Sequence, residues 1–165
     1  MEFHNVSMAA FSGVLATLTM DSVAVALGLS GLIRLKGHAV VPALLGRWVI
    51  KVGQGAGLCS NLLAEPAYPG EVRTGWIAHY AIGSVLGILY AYYRGSQWSG
   101  GLSGWQTGGI YGLATCLLPW LLMYKAVGFG MFGARTPVQG MLLISSVLNH
   151  LVYGITLGLV YFKII

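Results

Sequence analysis

The sequence predicts an all-α protein that crosses a membrane several times, and three observations support this fold class. Of its 165 residues, 56% are hydrophobic and 8% are charged, and the mean hydropathy is +0.76. A soluble domain carries about 25% charged residues, so this chain has too few charges to cover a water-facing globule. Four apolar segments are each long enough to cross about 30 Å of hydrocarbon as a helix. These features exclude a water-soluble enzyme and a disordered chain.

We expect residues 1–165 to form one transmembrane domain of four spanning helices. Taken in chain order, the helices pair as two tandem helical hairpins. The predicted helices cover about residues 6–33, 75–93, 105–124 and 138–162. Within these four ranges, Asp21 is the one Asp, Glu, Lys or Arg residue.

The connection between the first two spanning helices is about 40 residues long, which is too long for a simple loop. Pro42 suits the first turn of a helix, and about residues 42–53 are predicted to form one. Leu44 and Trp48 fall on one side of this helix, whereas Arg47 and Lys51 fall on the other. A basic amphipathic helix beside a spanning helix is expected to lie in the plane of the lipid headgroups.

The distribution of the nine Lys and Arg residues predicts the orientation in the membrane. Seven of them lie in the first and third connections, and the other two are Arg94 and Lys163. The positive-inside rule then places these two connections in the cytoplasm and both termini outside. Because the basic residues are scattered in ones and twos, the net charge of +5 does not predict a nucleic-acid partner. We expect a multi-pass membrane protein with membrane lipids as partners.

The second and fourth apolar segments share a pattern that predicts an internal duplication. Five residues recur at a constant spacing of 71 positions, namely His79, Gly83, Leu86, Gly87 and Tyr90, and then His150, Gly154, Leu157, Gly158 and Tyr161. A weaker match between Ala16-Thr17 and Ala114-Thr115 would align Asp21 with Pro119. Internal repeats of this kind are common in membrane transport proteins.

The repeated glycines are predicted to be helix-packing positions. Gly83 and Gly87, like Gly154 and Gly158, lie four residues apart, a spacing that lets two helix backbones approach closely. The sequence leaves open whether these contacts lie within one chain or between chains. We therefore expect a homo-oligomer or a subunit of a larger membrane complex.

Asp21 is the most informative residue for function. A carboxylate at the centre of a spanning helix costs roughly 2.5–3.5 kcal/mol on insertion, so it is expected to face protein or water. In the predicted topology, Asp21, His79, Asn149 and His150 lie in one layer in the cytoplasmic half of the bundle. Two interpretations are open. These groups hold helices together, or they bind a polar solute or share a proton near neutral pH.

Two arginines lie near this layer in the predicted topology. Arg47 and Arg135 are possible anion contacts at the inner surface, where they would close a site around a bound anion. They are equally well explained as topology signals, because cytoplasmic connections are rich in Lys and Arg.

The sequence predicts no cofactor and no catalytic residue. Two histidines and an aspartate are able to bind a metal, and two histidines are able to ligate haem, so a metal or haem at His79 and His150 stays open. The spacing is not HExxH, however, and no cysteine joins a recognisable ligand set. No nucleophile motif and no nucleotide-binding motif is present.

Five short motifs occur in an order that resembles a known family. They are Thr19-Met20-Asp21, Gly46-Arg47-Trp48, Gly75-Trp76-xx-His79-Tyr80, Gly112-Leu113-x-Thr115 and Gly133-Ala134-Arg135-Thr136-Pro137. Together with His150 they cover nearly the whole chain, which resembles a family of small bacterial four-helix inner-membrane proteins classed as a domain of unknown function. Tyr124-Lys125 departs from the family pattern, in which a proline-containing turn is expected. The resemblance implies a fold and no activity.

These observations favour a non-enzymatic function. We expect binding or passage of a small polar solute or a proton at the Asp/His layer. The alternative is a non-catalytic accessory or assembly subunit, whose glycine contacts and interfacial helix would meet partner proteins. A membrane enzyme acting on lipid headgroups, with His79 as base, ranks last because the sequence contains no recognisable nucleophile.

Overall fold

The computed structural model describes residues 3–30, 40–56, 61–95 and 101–164, and over these residues the predicted all-α fold is confirmed. The α-helices are α1 (Phe3–Leu29), α2 (Val40–Gly53), α3 (Glu71–Gly95), α4 (Gly104–Thr115), α5 (Tyr124–Val127) and α6 (Gln139–Ile164). The shorter helical segments are two 3₁₀ turns, Leu62–Ala64 and Met131–Gly133, and a π-helical segment, Pro119–Met123.

Three helical stretches among the described residues are long and apolar enough to cross a membrane. They are Val6–Leu29, Gly104–Val127 and Gln139–Tyr161. They correspond to three of the four predicted spanning segments, and residues 31–33 at the end of the first prediction lie outside the described residues. The helix predicted over 75–93 is α3, and the one predicted over 42–53 is α2.

The helix predicted over 105–124 changes geometry around Pro119. α4 ends at Thr115, the chain is π-helical over Pro119–Met123, and α5 then continues to Val127. Proline has no N–H to donate, and its ring clashes with the carbonyl four residues earlier, so a regular α-helix does not pass through it unchanged. A widened π-helical turn next to the proline relieves this conflict.

The chain divides into two compact units. Unit 1 consists of Met1–Leu32, Tyr80–Thr115 and Val147–Ile165, and unit 2 consists of Ile33–His79 and Cys116–Ser146. Unit 1 therefore contains α1, α4 and the C-terminal parts of α3 and α6. Unit 2 contains α2, α5, the short helical segments and the N-terminal parts of α3 and α6.

Within unit 1, α1 packs against α3 at two of the repeated glycines. A Cβ atom added at Gly83 would overlap the side chain of Thr17, and one added at Gly87 would overlap the carbonyl oxygen of Ala9. A larger side chain at either position would thus push the two helices apart.

α4 packs against α6 in the same way. A Cβ atom at Gly154 would overlap the carbonyl oxygen of Gly108, and one at Gly158 would overlap that of Gly104. All four predicted packing glycines therefore lie at helix contacts within one chain. The sequence left open whether these contacts lie within one chain or between chains, and for these four residues the structure has contacts within the chain.

Tyrosines fill the centre of unit 1. Tyr90 is completely buried and packs with Ala16, Tyr153 and Leu157. Its ring meets that of Tyr161 edge to face, with 5.7 Å between the ring centroids. The Tyr153 hydroxyl donates a hydrogen bond of 2.7 Å to the carbonyl oxygen of Gly83, and the Tyr90 hydroxyl lies 2.8 Å from Thr107 Oγ1. Each buried phenol oxygen thus has a polar partner, as burial requires.

In unit 2, α2 lies against the first turns of α3. A Cβ atom at Gly46 would overlap the carbonyl oxygen of Glu71, and one at Gly75 would overlap that of Pro42. Leu62 of the first 3₁₀ turn is completely buried and packs with Leu44 of α2 and with Ala126 and Val127 of α5. Two glycines and a small apolar core therefore fix α2 to the rest of this unit.

Candidate functional site

The carboxylate of Asp21 contacts a second helix. Asp21 lies on α1 within the stretch Val6–Leu29 and is partly exposed. The Tyr80 hydroxyl on α3 donates a hydrogen bond of 3.2 Å to Asp21 Oδ2. The nearby hydroxyls of Thr17 and Ser22 instead donate to carbonyl oxygens of their own helix, four residues earlier. Asp21 therefore links α1 to α3 within unit 1.

Sequence reasoning missed Tyr80 as the partner of Asp21. Its signal was present, because a phenol in an apolar helix needs a hydrogen-bond acceptor and Asp21 is the one carboxylate in the predicted spanning segments. The sequence pattern alone did not show which face of α3 meets α1.

His150 contacts α4. Its Nδ1 atom lies 2.8 Å from Thr115 Oγ1, and the Thr115 hydroxyl donates a bond of 2.6 Å to the carbonyl oxygen of Gly112. Because a hydroxyl has one proton, that second bond requires His150 Nδ1 to be the donor toward Thr115. Asn149, the preceding residue on α6, is partly exposed.

His79 belongs to unit 2 and contacts Trp76 on its own helix. The two rings meet edge to face, with centroids 5.9 Å apart and planes at 71°. The contacts described for the predicted layer are thus Asp21 with Tyr80, His150 with Thr115, and His79 with Trp76. The convergence of Asp21, His79, Asn149 and His150 into a single layer stays a prediction.

Arg47 occupies a different environment from the one predicted. It was expected on the polar side of α2, but the structure buries it. Its Nε and NH2 groups donate to the two carboxylate oxygens of Glu71 at 2.8 and 3.0 Å, and NH1 donates to the carbonyl oxygens of Leu62 and Glu65, each at 2.7 Å. The difference arises because Gly46 lets α2 approach the first turn of α3, where Glu71 lies. The anion that Arg47 contacts here is a carboxylate of its own chain.

The electrostatics of this pair follow from its geometry. The hydrogen bond from Arg47 lowers the pKa of Glu71 below its ordinary value, and a hydrogen bond from the Tyr68 backbone N–H, 2.9 Å long, acts in the same direction. Burial opposes both effects. The hydrogen bond to Glu71 in turn raises the pKa of Arg47, so both groups are charged at neutral pH.

Arg135, the other possible anion contact, is exposed in the connection between α5 and α6. Its backbone N–H donates a 2.8 Å hydrogen bond to the carbonyl oxygen of Phe129, which holds the residue in place while its side chain stays at the surface. Lys125, at the end of the preceding helix, is exposed as well.

Among the residues that the structure describes, no group of three or more His, Cys, Asp or Glu side chains is arranged to hold a metal ion. The described contacts of Asp21 and His150 are the hydroxyl groups of a tyrosine and a threonine, respectively.

The helices and their apolar surfaces define the class of the molecule. Over the described residues it is all-helical and has three stretches able to cross a membrane, which is consistent with a helical membrane protein. The chain belongs to the protein family of unknown function DUF2938, whose family model matches residues 10–163. No curated protein and no solved structure matches the chain significantly.

Proposed function

We propose that the protein crosses a bacterial cytoplasmic membrane four times, with both termini outside, and that α3 is the fourth span. The sequence of α3 supports this, because no Asp, Glu, Lys or Arg lies between residues 74 and 93. The side chains of Ile77, Val85 and Leu89 on α3 are at least 50% exposed. Exposed apolar side chains along a charge-free helix suit a surface that faces lipid.

We also propose that the four spans form two hairpins related by duplication. The contact partners of the repeated glycines support this duplication. Gly87 contacts Ala9, and its equivalent Gly158 contacts Gly104, which follows Ala9 by 95 positions. Likewise, Gly83 contacts Gly13 and Gly154 contacts Gly108, and these two partners are also 95 positions apart. This register aligns Asp21 with Cys116 and replaces the alignment with Pro119. The equivalent residues Tyr90 and Tyr161 touch each other, as expected for residues next to a pseudo-two-fold axis.

The function that the geometry supports best is binding and passage of a proton, or of a small polar solute, at Asp21. The Asp21–Tyr80 contact carries this proposal. A carboxylate inside a span costs roughly 2.5–3.5 kcal/mol, whereas an interhelical hydrogen bond in a membrane contributes about 0.6 kcal/mol. One such hydrogen bond contributes less than the carboxylate costs, and ionisable groups inside spans are functional-site candidates by default. A neutral pair would join α1 to α3 at lower cost, which favours a role for the ionisable group itself.

His150, another titratable group in unit 1, supports the same function. Its Nδ1 atom lies 2.8 Å from Thr115 Oγ1, and the Thr115 hydroxyl donates to the carbonyl oxygen of Gly112, so the imidazole is held against α4. All four repeated glycines are used for contacts within the chain, so they no longer favour docking to a partner protein. This observation supports our preference for solute or proton passage over a purely accessory role.

The proposal is tested by proton flux into liposomes that contain the purified protein and a pH-sensitive dye, driven by a potassium diffusion potential. Asp21→Asn is expected to reduce the flux to the rate of protein-free liposomes, because it removes the proton-binding carboxylate. Tyr80→Phe is expected to lie between this variant and the wild type, because it removes only the hydrogen bond to the carboxylate.

Ser22→Ala is the matched control, since the Ser22 hydroxyl lies beside Asp21 in sequence and bonds only its own helix. It should keep the wild-type rate. An Asp21→Asn variant that conducts as fast as the wild type would refute the role of Asp21. A wild-type rate equal to that of protein-free liposomes would refute proton passage.

A further inference from the structure

The connection between α5 and α6 presents apolar and basic side chains together. We define the 125–135 surface by Lys125, Met131, Phe132 and Arg135, all of which belong to unit 2. Met131 is 54% exposed and Phe132 is 39% exposed. Lys125 and Arg135 are exposed as well. Exposed apolar side chains and cations on one short stretch of chain need an environment that accepts both.

The backbone holds these side chains in a defined position. Phe132 has a φ angle of 55°, in the left-handed region that residues other than glycine rarely adopt. Gly133 follows with a φ angle of 71°, and the Arg135 N–H closes the turn with a 2.8 Å bond to the carbonyl oxygen of Phe129. The Phe132 ring packs on Trp120 with 5.7 Å between ring centroids. The exposure of Phe132 is thus built into the turn.

Among the described residues of unit 2, both carboxylates pair with cations other than Lys125 and Arg135. No Asp or Glu follows Glu71 in the sequence. Glu71 forms an ion pair with Arg47, and Glu65 forms one with Lys51. Both carboxylates are therefore used by other cations, and the 125–135 surface is complementary to an external anion.

The surface also lies at the end of a candidate span. Trp120 and Lys125 belong to the last part of the stretch Gly104–Val127, and the turn that carries Phe132 folds back onto Trp120. Tryptophan and basic residues are typical of the level at which a span leaves the hydrocarbon. At that level, acyl chains lie next to phosphate groups.

We propose that the 125–135 surface binds an anionic phospholipid. The headgroup phosphate is held by Lys125 and Arg135, and the upper part of an acyl chain lies against Met131 and Phe132. Charge complementarity selects this occupant, because basic side chains attract anionic lipids more strongly than zwitterionic ones. The site is independent of Asp21 and of the proposed proton passage.

Native mass spectrometry of the full chain in a neutral detergent tests this proposal. The probes are short-chain phosphatidylglycerol, short-chain phosphatidylcholine and inorganic phosphate. The wild type is expected to bind phosphatidylglycerol more tightly than phosphatidylcholine. The double variant Lys125→Gln/Arg135→Gln is expected to weaken phosphatidylglycerol binding about 30-fold, since each cation near an anionic headgroup contributes about fivefold. Met131→Ser is expected to weaken it less.

The matched control is Arg73→Gln/Lys163→Gln, which removes the same charge from two exposed positions elsewhere. It should bind phosphatidylglycerol like the wild type, and all variants should keep the lipid-free melting temperature. Three outcomes would overturn the proposal: an equal loss in the control, unchanged binding in the Lys125/Arg135 variant, or no preference of the wild type for phosphatidylglycerol. Full competition by inorganic phosphate would overturn it too, because the site would then bind a free anion.

Discussion

At the scale of single residues, Arg47 makes four hydrogen bonds from one guanidinium group. Two go to Glu71 at the start of α3, and the other two go to carbonyl oxygens in the segment that precedes it. The side chains of Arg47 and Glu71 are only 11% and 10% exposed. A planar guanidinium is suited to this bidentate contact, and its loss would leave a buried charge without a partner. The pair therefore anchors α2 to α3 in unit 2.

The lowered pKa of Glu71 makes this anchor sensitive to acid. Its stabilising contribution is present above the unfolded-state pKa, near 4.5, and is lost as the pH falls through the lower folded-state pKa. The raised pKa of Arg47 keeps the guanidinium charged throughout the pH range of an ordinary experiment, so Arg47 adds no pH dependence there. We expect the contribution of this pair to the melting temperature to be constant with pH near neutrality and to fall with acidification below about pH 4.5.

Glu71→Gln is expected to lower the free energy of unfolding at pH 7 by about 1.5–3 kcal/mol and to reduce the acid sensitivity. Glu65→Gln is the control, because its ion pair with Lys51 is more exposed and should contribute at most about 1 kcal/mol. Both values come from reversible unfolding in mixed micelles. Equal losses in the two variants would show that Glu71 does not anchor α2.

At the scale of elements, the periodic and apolar patterns predicted the helices well. The backbone geometry within a helix and the contacts between helices were harder to predict. The repeated glycines predicted helix packing, because a glycine pair four residues apart has few other uses in an apolar helix, and in the structure they lie at close contacts between helices. The π-helical turn at Pro119 was not predicted, since proline indicates a break without specifying how it is relieved. The burial of Arg47 was also missed. Its partner Glu71 is 24 positions away in sequence, and helical periodicity reports faces but not tertiary partners.

The glycine contacts lead to a prediction for the α4–α6 pair. Gly154→Ala is expected to destabilise the protein by about 1–3 kcal/mol, because the new methyl group would overlap backbone atoms of Gly108 and Gly112 and force the helices apart. Gly140→Ala is the control on the same helix. It meets open space, so it should be neutral or stabilise α6 by up to about 1 kcal/mol. Melting temperatures of the two variants test this difference, and similar values would contradict the close contact.

At the scale of the whole molecule, the number of spans decides the orientation of every connection. With four spans and the termini outside, the connections that carry Lys51 and Arg135 both lie in the cytoplasm, as the positive-inside rule favours. If α3 did not cross the membrane, the chain would have three spans. The connection with Lys125 and Arg135 would then lie outside, against that rule.

Membrane-impermeant maleimide labelling distinguishes the two arrangements. Single cysteines at Gln54, Ala134 and Lys163, all exposed positions, are introduced after Cys59 and Cys116 are replaced by serine. With four spans, we expect Lys163→Cys to be labelled from outside, and Gln54→Cys and Ala134→Cys only after the membrane is permeabilised. With three spans and the N-terminus still outside, Ala134→Cys would be labelled from outside and Lys163→Cys would be protected. The three labelling results together therefore test whether α3 is a span. Removing one crossing exchanges the side of the membrane for Ala134 and Lys163 and leaves Gln54 on the same side.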